Sequence, residues 1–178
     1  LDLDTLIVGA PDENAATGAA YIYYRSGVAW TQQASLTADD GAADDRFGTG
    51  VAVDGERAAV GAPGSDEARG AAYTYTRTDD AWAIHQKLFL ASSAPGDNFG
   101  NSVSISGDRM VVGAYLRDVQ RTSGGNTDTY EDEGSAYVFG LKDGNWRLET
   151  VVEPLQASDG YSGDMVGYQV AISGTLVL

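Results

Sequence analysis

The chain contains no cysteine. Disulfides and thiolate zinc sites are therefore excluded, and the redox compartment is left open. Histidine occurs once, at His85, and lysine only at Lys87 and Lys142. A hydrolytic triad needs a histidine beside a nucleophile, and no nucleophile elbow accompanies this one. Basic residues are scarce altogether: 11 against 26 acidic ones, for a formal charge of −15. Nucleic acids and anionic membrane surfaces both demand a basic footprint, so this balance argues against both. No apolar run is long enough to span a bilayer, and no stretch shows a sustained helical period with caps. The N-terminus carries Asp2 and Asp4 where a signal peptide has its basic start, although a chain that opens inside a strand is compatible with a leader upstream.

What is present is a repeat. Asp45 to Pro63 reads as a β-hairpin: Val51 and Val53 alternate with small residues, Asp54-Gly55 suits a type I′ turn, and Gly61-Ala62-Pro63 closes the return strand. Phe47-Gly48 recurs as Phe99-Gly100 at a step of 52, and Gly61 has Gly9 behind it and Gly113 ahead at the same step. Trp30 and Trp82 keep that step as well, as do Tyr21 and Tyr73. Val51/Val53 return as Val103/Ile105 and, after a longer step of 67, as Val170/Ile172. Twelve of the extra residues fall before Gly134, and matching Leu88 to Leu155 puts three more between Trp146 and Leu155.

Each unit then holds four short strands, which predicts an all-β fold of β-propeller blades, four antiparallel strands to a blade. About three blade equivalents are expected, a partial propeller or a fragment of a larger ring. Residues 1–46 are blade equivalent 1, begun mid-blade; 47–98 are blade 2; 99–165 are blade 3 with an insertion at 116–133; 166–178 start the next blade. Three blades do not close a ring at ordinary inter-blade angles, so the missing blades or other copies of the chain are expected partners.

Phe-Gly followed about a dozen residues later by Gly-Ala-Pro resembles the FG-GAP repeat of integrin α-type propellers, most closely the bacterial extracellular subgroup. Phe47, Gly48, Gly61, Phe99, Gly100 and Gly113 carry the resemblance, with Gly9-Ala10-Pro11 in the truncated first copy and Leu36-Thr37-Ala38-Asp39-Asp40-Gly41 beside it. It implies a propeller, usually extracellular or at the cell surface, acting as a binding or scaffold module. The chain departs from the family at Val166-Gly167 and at Tyr115, which stands where the pattern has proline. The family's calcium loop does not carry over either. Two-residue turns such as Asp54-Gly55 cannot offer the six to eight oxygens that calcium takes.

Asp45, Asp97 and Asp164 sit two residues before each Phe-Gly or Val-Gly, with Asp40, Ser92 and Asp159 at a second matching position. Recurrence in every copy favours carboxylates that fix the turn through backbone N–H groups over a cation-gathering ring. His85 matches Gln33 on an outer strand and reads as a surface position. The three tryptophans read as packing between neighbouring blades, with sugar stacking as the alternative. The insertion breaks the repeat and is the best functional pointer. Arg117, Asp118, Tyr130 and Glu131 are candidate ligand-binding residues, and a mobile solvated loop is the plain alternative. Asn126, Asp128 and Asp132 alternate as oxygen ligands that suit calcium as a cofactor, although the turn glycine of an EF-hand is missing.

The expectation is therefore a non-enzymatic extracellular module that recognises protein or carbohydrate through loops on one face. The alternative is a structural surface-assembly or adhesion component with cation-binding acidic loops. An accessory domain of an extracellular enzyme comes third. An Asp-rich, Lys-poor surface also suits a salty environment.

Overall fold

The second strand of a blade is a run of small and β-branched residues buried on both faces, as in Arg57–Ala62 and Arg109–Ala114, while the outer strands are largely polar and exposed. The computed structural model describes residues 4–123, 125–153, 163–174 and 176–177. Blade 1 is a three-stranded antiparallel sheet of β1 (Thr5–Ala10), β2 (Ala19–Ser26) and β3 (Ala29–Leu36). Blade 2 has four strands in sequence order: β4 (Val51–Asp54), β5 (Arg57–Ala62), β6 (Ala71–Thr78) and β7 (Ala81–Leu88). Blade 3 is built from β8 (Phe99–Ser106), β9 (Arg109–Ala114), β12 (Ser135–Lys142) and β13 (Asn145–Val152). Its insertion forms a separate pair, β10 (Val119–Ser123) with β11 (Asn126–Tyr130), and β14 (Ile172–Ser173) with β15 (Leu176–Val177) begins the following sheet. The protein is all-β, with its sheets arranged as partial propeller blades.

The core lies between blades. Ile7, Ile22 and Leu36 of blade 1 pack with Phe47, Val60 and Tyr73 of blade 2. Leu88 of blade 2 packs with Phe99, Val112, Tyr137 and Trp146 of blade 3. Phe47 meets Tyr73 edge-on at 5.4 Å, and Phe99 meets Tyr137 at 5.5 Å. Val53, Ile105 and Ile172 are buried to nearly the same degree in the three copies.

Backbone contacts give the Phe-Gly and Gly-Ala-Pro pairs their meaning. A Cβ on Gly9 would lie 1.9 Å from the carbonyl oxygen of Gly48; on Gly61, 1.8 Å from that of Gly100; on Gly113, 1.9 Å from that of Gly167. Each blade's Phe-Gly glycine thus sits directly on the Gly-Ala-Pro glycine of the blade before it, with no room for a side chain. A second stitch runs beside this one. Asn14, Ala15 and Ala16 all take positive φ, as do Asp66, Glu67 and Ala68 in the next copy. A left-handed residue that is not glycine costs about 1–2 kcal/mol. The geometry aims carbonyls at the following blade. Ala15, Ala16 and Thr17 accept from the N–H groups of Asp44, Arg46 and Phe47, and Glu67, Ala68 and Arg69 accept from Gly96, Asn98 and Phe99.

Several local readings change. The tight turns centre one residue later than Asp54-Gly55. Asp54 pairs with Arg57, so Gly55 and Glu56 form the turn, and Gly55 alone of the two has positive φ. That is the type II′ requirement, not type I′. Val152 pairs with Ala136 as Leu88 pairs with Ala72, so Val152 holds the place assigned to Leu155, which lies outside the described residues. The register also puts a bulge in each outer strand, with Gln33, His85 and Glu149 as the extra residue. Bulges twist an exposed edge away from pairing with other chains.

Candidate functional site

One face of the blades carries the connections from second to third strand and from each blade to the next. In blades 1 and 2 the former is a short left-handed turn. In blade 3 it is the inserted hairpin, not an irregular loop: Val119 pairs with Tyr130, Arg121 with Asp128, and Thr122 with Thr127. Threonine-rich strands favour this pairing. Two strands alone are marginal in water, so contacts to the blade decide where the hairpin stands.

Those contacts come from the side of the hairpin that holds Val119 and Arg121. Val119 is buried. Arg121 Nη1 donates to Glu133 Oε1 at 2.6 Å, and Glu133 is only 1% exposed. The Glu133 hydrogen bond holds the Arg121 guanidinium above its usual range, and that guanidinium lies 4.6 Å from the Tyr130 ring centroid. At the hairpin's foot, Arg117 donates to the Tyr137 hydroxyl and stacks on its ring. The opposite side presents Gln120, Thr122, Thr127 and Thr129, all exposed and uncharged.

The candidate ligand-binding residues separate by role. Arg117 is half-buried and turned inward to Tyr137, and Tyr130 stacks under Arg121. Asp118 and Glu131 are exposed and line a cleft of about 370 Å³ together with Pro95, Asp97, Leu116 and Asp132. The carbonyls of Glu131, Asp132 and Glu133 accept from Gly163, Met165 and Val166, the same stitch that the other blades make.

The three residues considered for calcium fall on β11 and just beyond its end. Asn126 and Asp128 lie two apart on β11, Asp128 opposite Arg121, while the Asp132 N–H donates to Asp118 Oδ1 at 3.1 Å. Among the described residues no group of three or more His, Asp or Glu side chains is placed to hold a metal ion.

The carboxylates before Phe-Gly accept from the backbone. Asp45 Oδ2 takes the Ala42 N–H at 2.9 Å; Asp97 Oδ2 takes the Ala94 N–H at 2.9 Å and the Ser93 hydroxyl at 3.0 Å. Asp164 is exposed, and Asp159 lies outside the described residues. Asp40 belongs to a different network: it accepts from the Tyr73 hydroxyl at 2.7 Å and from Lys87. The Lys87 hydrogen bond, and then that of Tyr73, hold its carboxyl below the usual range. Trp82 Nε1 donates to Gln33 of blade 1, and the Trp146 backbone exchanges two hydrogen bonds with Gln86 of blade 2. Trp30 is partly exposed and His85 is exposed.

Sequence reasoning did not single out Glu133. Its signal was available: the preceding copies carry Arg69 and Thr17 there. An acid in that place beside an inserted arginine marks a new ion pair.

A family model described as FG-GAP repeat matches residues 30–75 and 82–139. No curated protein matches the chain.

Proposed function

Since the chain belongs to the FG-GAP repeat family, a family of propeller modules that generally bind or adhere and do not catalyse, we propose that it is a non-enzymatic extracellular binding module whose ligand, a protein or a glycan, meets the inserted hairpin of blade 3. One observation carries this reading. Where two blades have a short turn, the third uses an ion pair between a half-buried Arg121 and a buried Glu133 to hold a hairpin out from the connection face. Burying a carboxylate is costly unless it is paired, and the blade stitch itself does not need Glu133, because Thr17 and Arg69 make the same carbonyl contact. The pair therefore serves the hairpin's position. Its outward row of Gln120, Thr122, Thr127 and Thr129 offers hydrogen bonds without adding to the chain's negative charge.

The test replaces residues 116–133 by the connection of blade 2, residues 64–69. The swapped chain is expected to melt cooperatively. Both chains are then run against a glycan array and a panel of extracellular proteins. Binding by the original and not by the swapped chain supports the reading. Equal binding by both removes the hairpin from it.

A further inference from the structure

Two adjoining depressions lie at the outer rim between blades 2 and 3, and no residue of β10 or β11 lines either. The larger, about 440 Å³, is walled by Phe139, Trp146 and Leu148; the smaller, about 230 Å³, by Ser65, Asp66 and Arg69. Lys87, Phe89 and Leu90 line both. Phe89 stands between them, 67% exposed, and Leu148 is 47% exposed.

The repeat supplies an internal control. Blade 1 carries Thr17, Ser35, Thr37 and Ala38 where blade 2 carries Arg69, Lys87, Phe89 and Leu90. The fold is the same in both copies, so it requires neither the cations nor the apolar side chains at these places. All four changes converge on one rim site. They bring two of the chain's 11 basic residues to an apolar patch on a molecule of charge −15.

We propose that this rim site docks an extended peptide segment of a partner protein that carries a large apolar side chain close to a carboxylate. The apolar side chain enters the depression of Phe139, Trp146 and Leu148, and the carboxylate reaches Arg69 and Lys87. Arg69 is built for the exchange. Its Nε donates to the Ser93 carbonyl at 3.2 Å, which fixes the guanidinium, while Nη1 holds only Glu67 at 3.3 Å and Asp66 at 3.7 Å. Both of those carboxylates are about three-quarters exposed, and surface pairs of that kind contribute little and are readily exchanged. Lys87 keeps its bond to Asp40 and its contact with Tyr73, and an ammonium with three N–H groups has one more to offer. Both depressions are open to solvent and run beside outer strands. A fatty acyl chain, which needs enclosure, is poorly served there, whereas an extended peptide keeps its backbone solvated. The site rests on the broader reading of the chain as a binding module but not on the hairpin.

The experiment selects a displayed library of short random peptides against the full chain. The consensus peptide is then synthesised with a fluorescent label and titrated by anisotropy. Enriched peptides are expected to pair a large apolar residue with a nearby Asp or Glu. Affinity is expected to fall about ten-fold or more in Phe89→Thr and in the double variant Arg69→Thr, Lys87→Ser, and to weaken with added salt. Phe89→Thr installs blade 1's own residue at an exposed position, so its melting curve is expected to stay close to that of the parent, while the double variant also takes Lys87 from Asp40 and is expected to melt somewhat lower. Phe89→Thr decides the outcome by itself if the double variant is unstable. Arg121→Ala is expected to leave peptide affinity unchanged, which separates this site from the hairpin. No enriched peptide, enrichment without a carboxylate, or full binding by Phe89→Thr overturns the proposal. So does binding of palmitate, in place of any peptide, that depends on Phe89. None of these outcomes touches the hairpin test.

Discussion

A methyl group added at Gly61 would sit 1.8 Å from the Gly100 carbonyl oxygen, backbone against backbone, so neither side can yield without moving a blade. Gly61→Ala is therefore expected to cost at least ~3 kcal/mol in denaturant melts. Gly107→Ala, at φ 57° with open space around it, is expected to cost only about 1–2 kcal/mol. Equal losses at the two positions would refute the contact. The buried tyrosines set an alkaline limit. Burial pushes the Tyr73 phenol from 10.0 up to about 12, and burial likewise raises Tyr75 and Tyr137. A phenol whose folded value is raised holds its proton more firmly in the native state. Its contribution is complete below pH 10.0 and is lost as pH climbs toward about 12. Melting temperature should hold up to about pH 10 and then fall, and Tyr73→Phe should soften that fall.

At the scale of elements, the hairpin and the left-handed turns are two answers to one requirement. The second-to-third connection must place three carbonyls under the next blade's loop. Blades 1 and 2 do so with three consecutive left-handed residues. Blade 3 does so with the end of the insertion, where Asp132 has φ 54°. This leaves 116–130 free to project. Since Glu133 is almost fully buried, removing its partner leaves a charge in the interior, while removing both leaves none. Arg121→Ala is thus expected to lower the melting temperature more than Arg121→Met combined with Glu133→Leu, and to open the hairpin to limited proteolysis first. The reverse order would show that the pair does not position the hairpin.

Across the whole molecule, like-charge repulsion works against the fold. A net −15 repels itself, and the described ion pairs are mostly exposed ones such as Arg46 with Asp12. Screening shortens from about 30 Å at 0.01 M salt to about 3 Å at 1 M. The melting temperature is expected to rise by several degrees across that range in sodium chloride. A flat or falling curve would mean that local pairs outweigh the net field.

The repeat and the strand count of a blade were readable in residue order alone, whereas the seating of Gly100 on Gly61 across a blade boundary appeared only in the structure. The periodic placement of small, aromatic and glycine residues is itself the record of backbone contacts made at every blade boundary. Turn type was less readable, because Asp54-Gly55 and Gly55-Glu56 differ by one residue of register that only cross-strand pairing decides. The insertion's form and the buried place of Glu133 were not readable at all. An acidic stretch looks the same whether it is solvated or folded back onto an arginine twelve residues earlier. Only the packing of β10 and β11 against blade 3 chose between the two. The rim site needed both kinds of information: composition supplied Arg69, Lys87, Phe89 and Leu90 in one copy, and the curvature of neighbouring blades brought them beside Trp146 and Leu148.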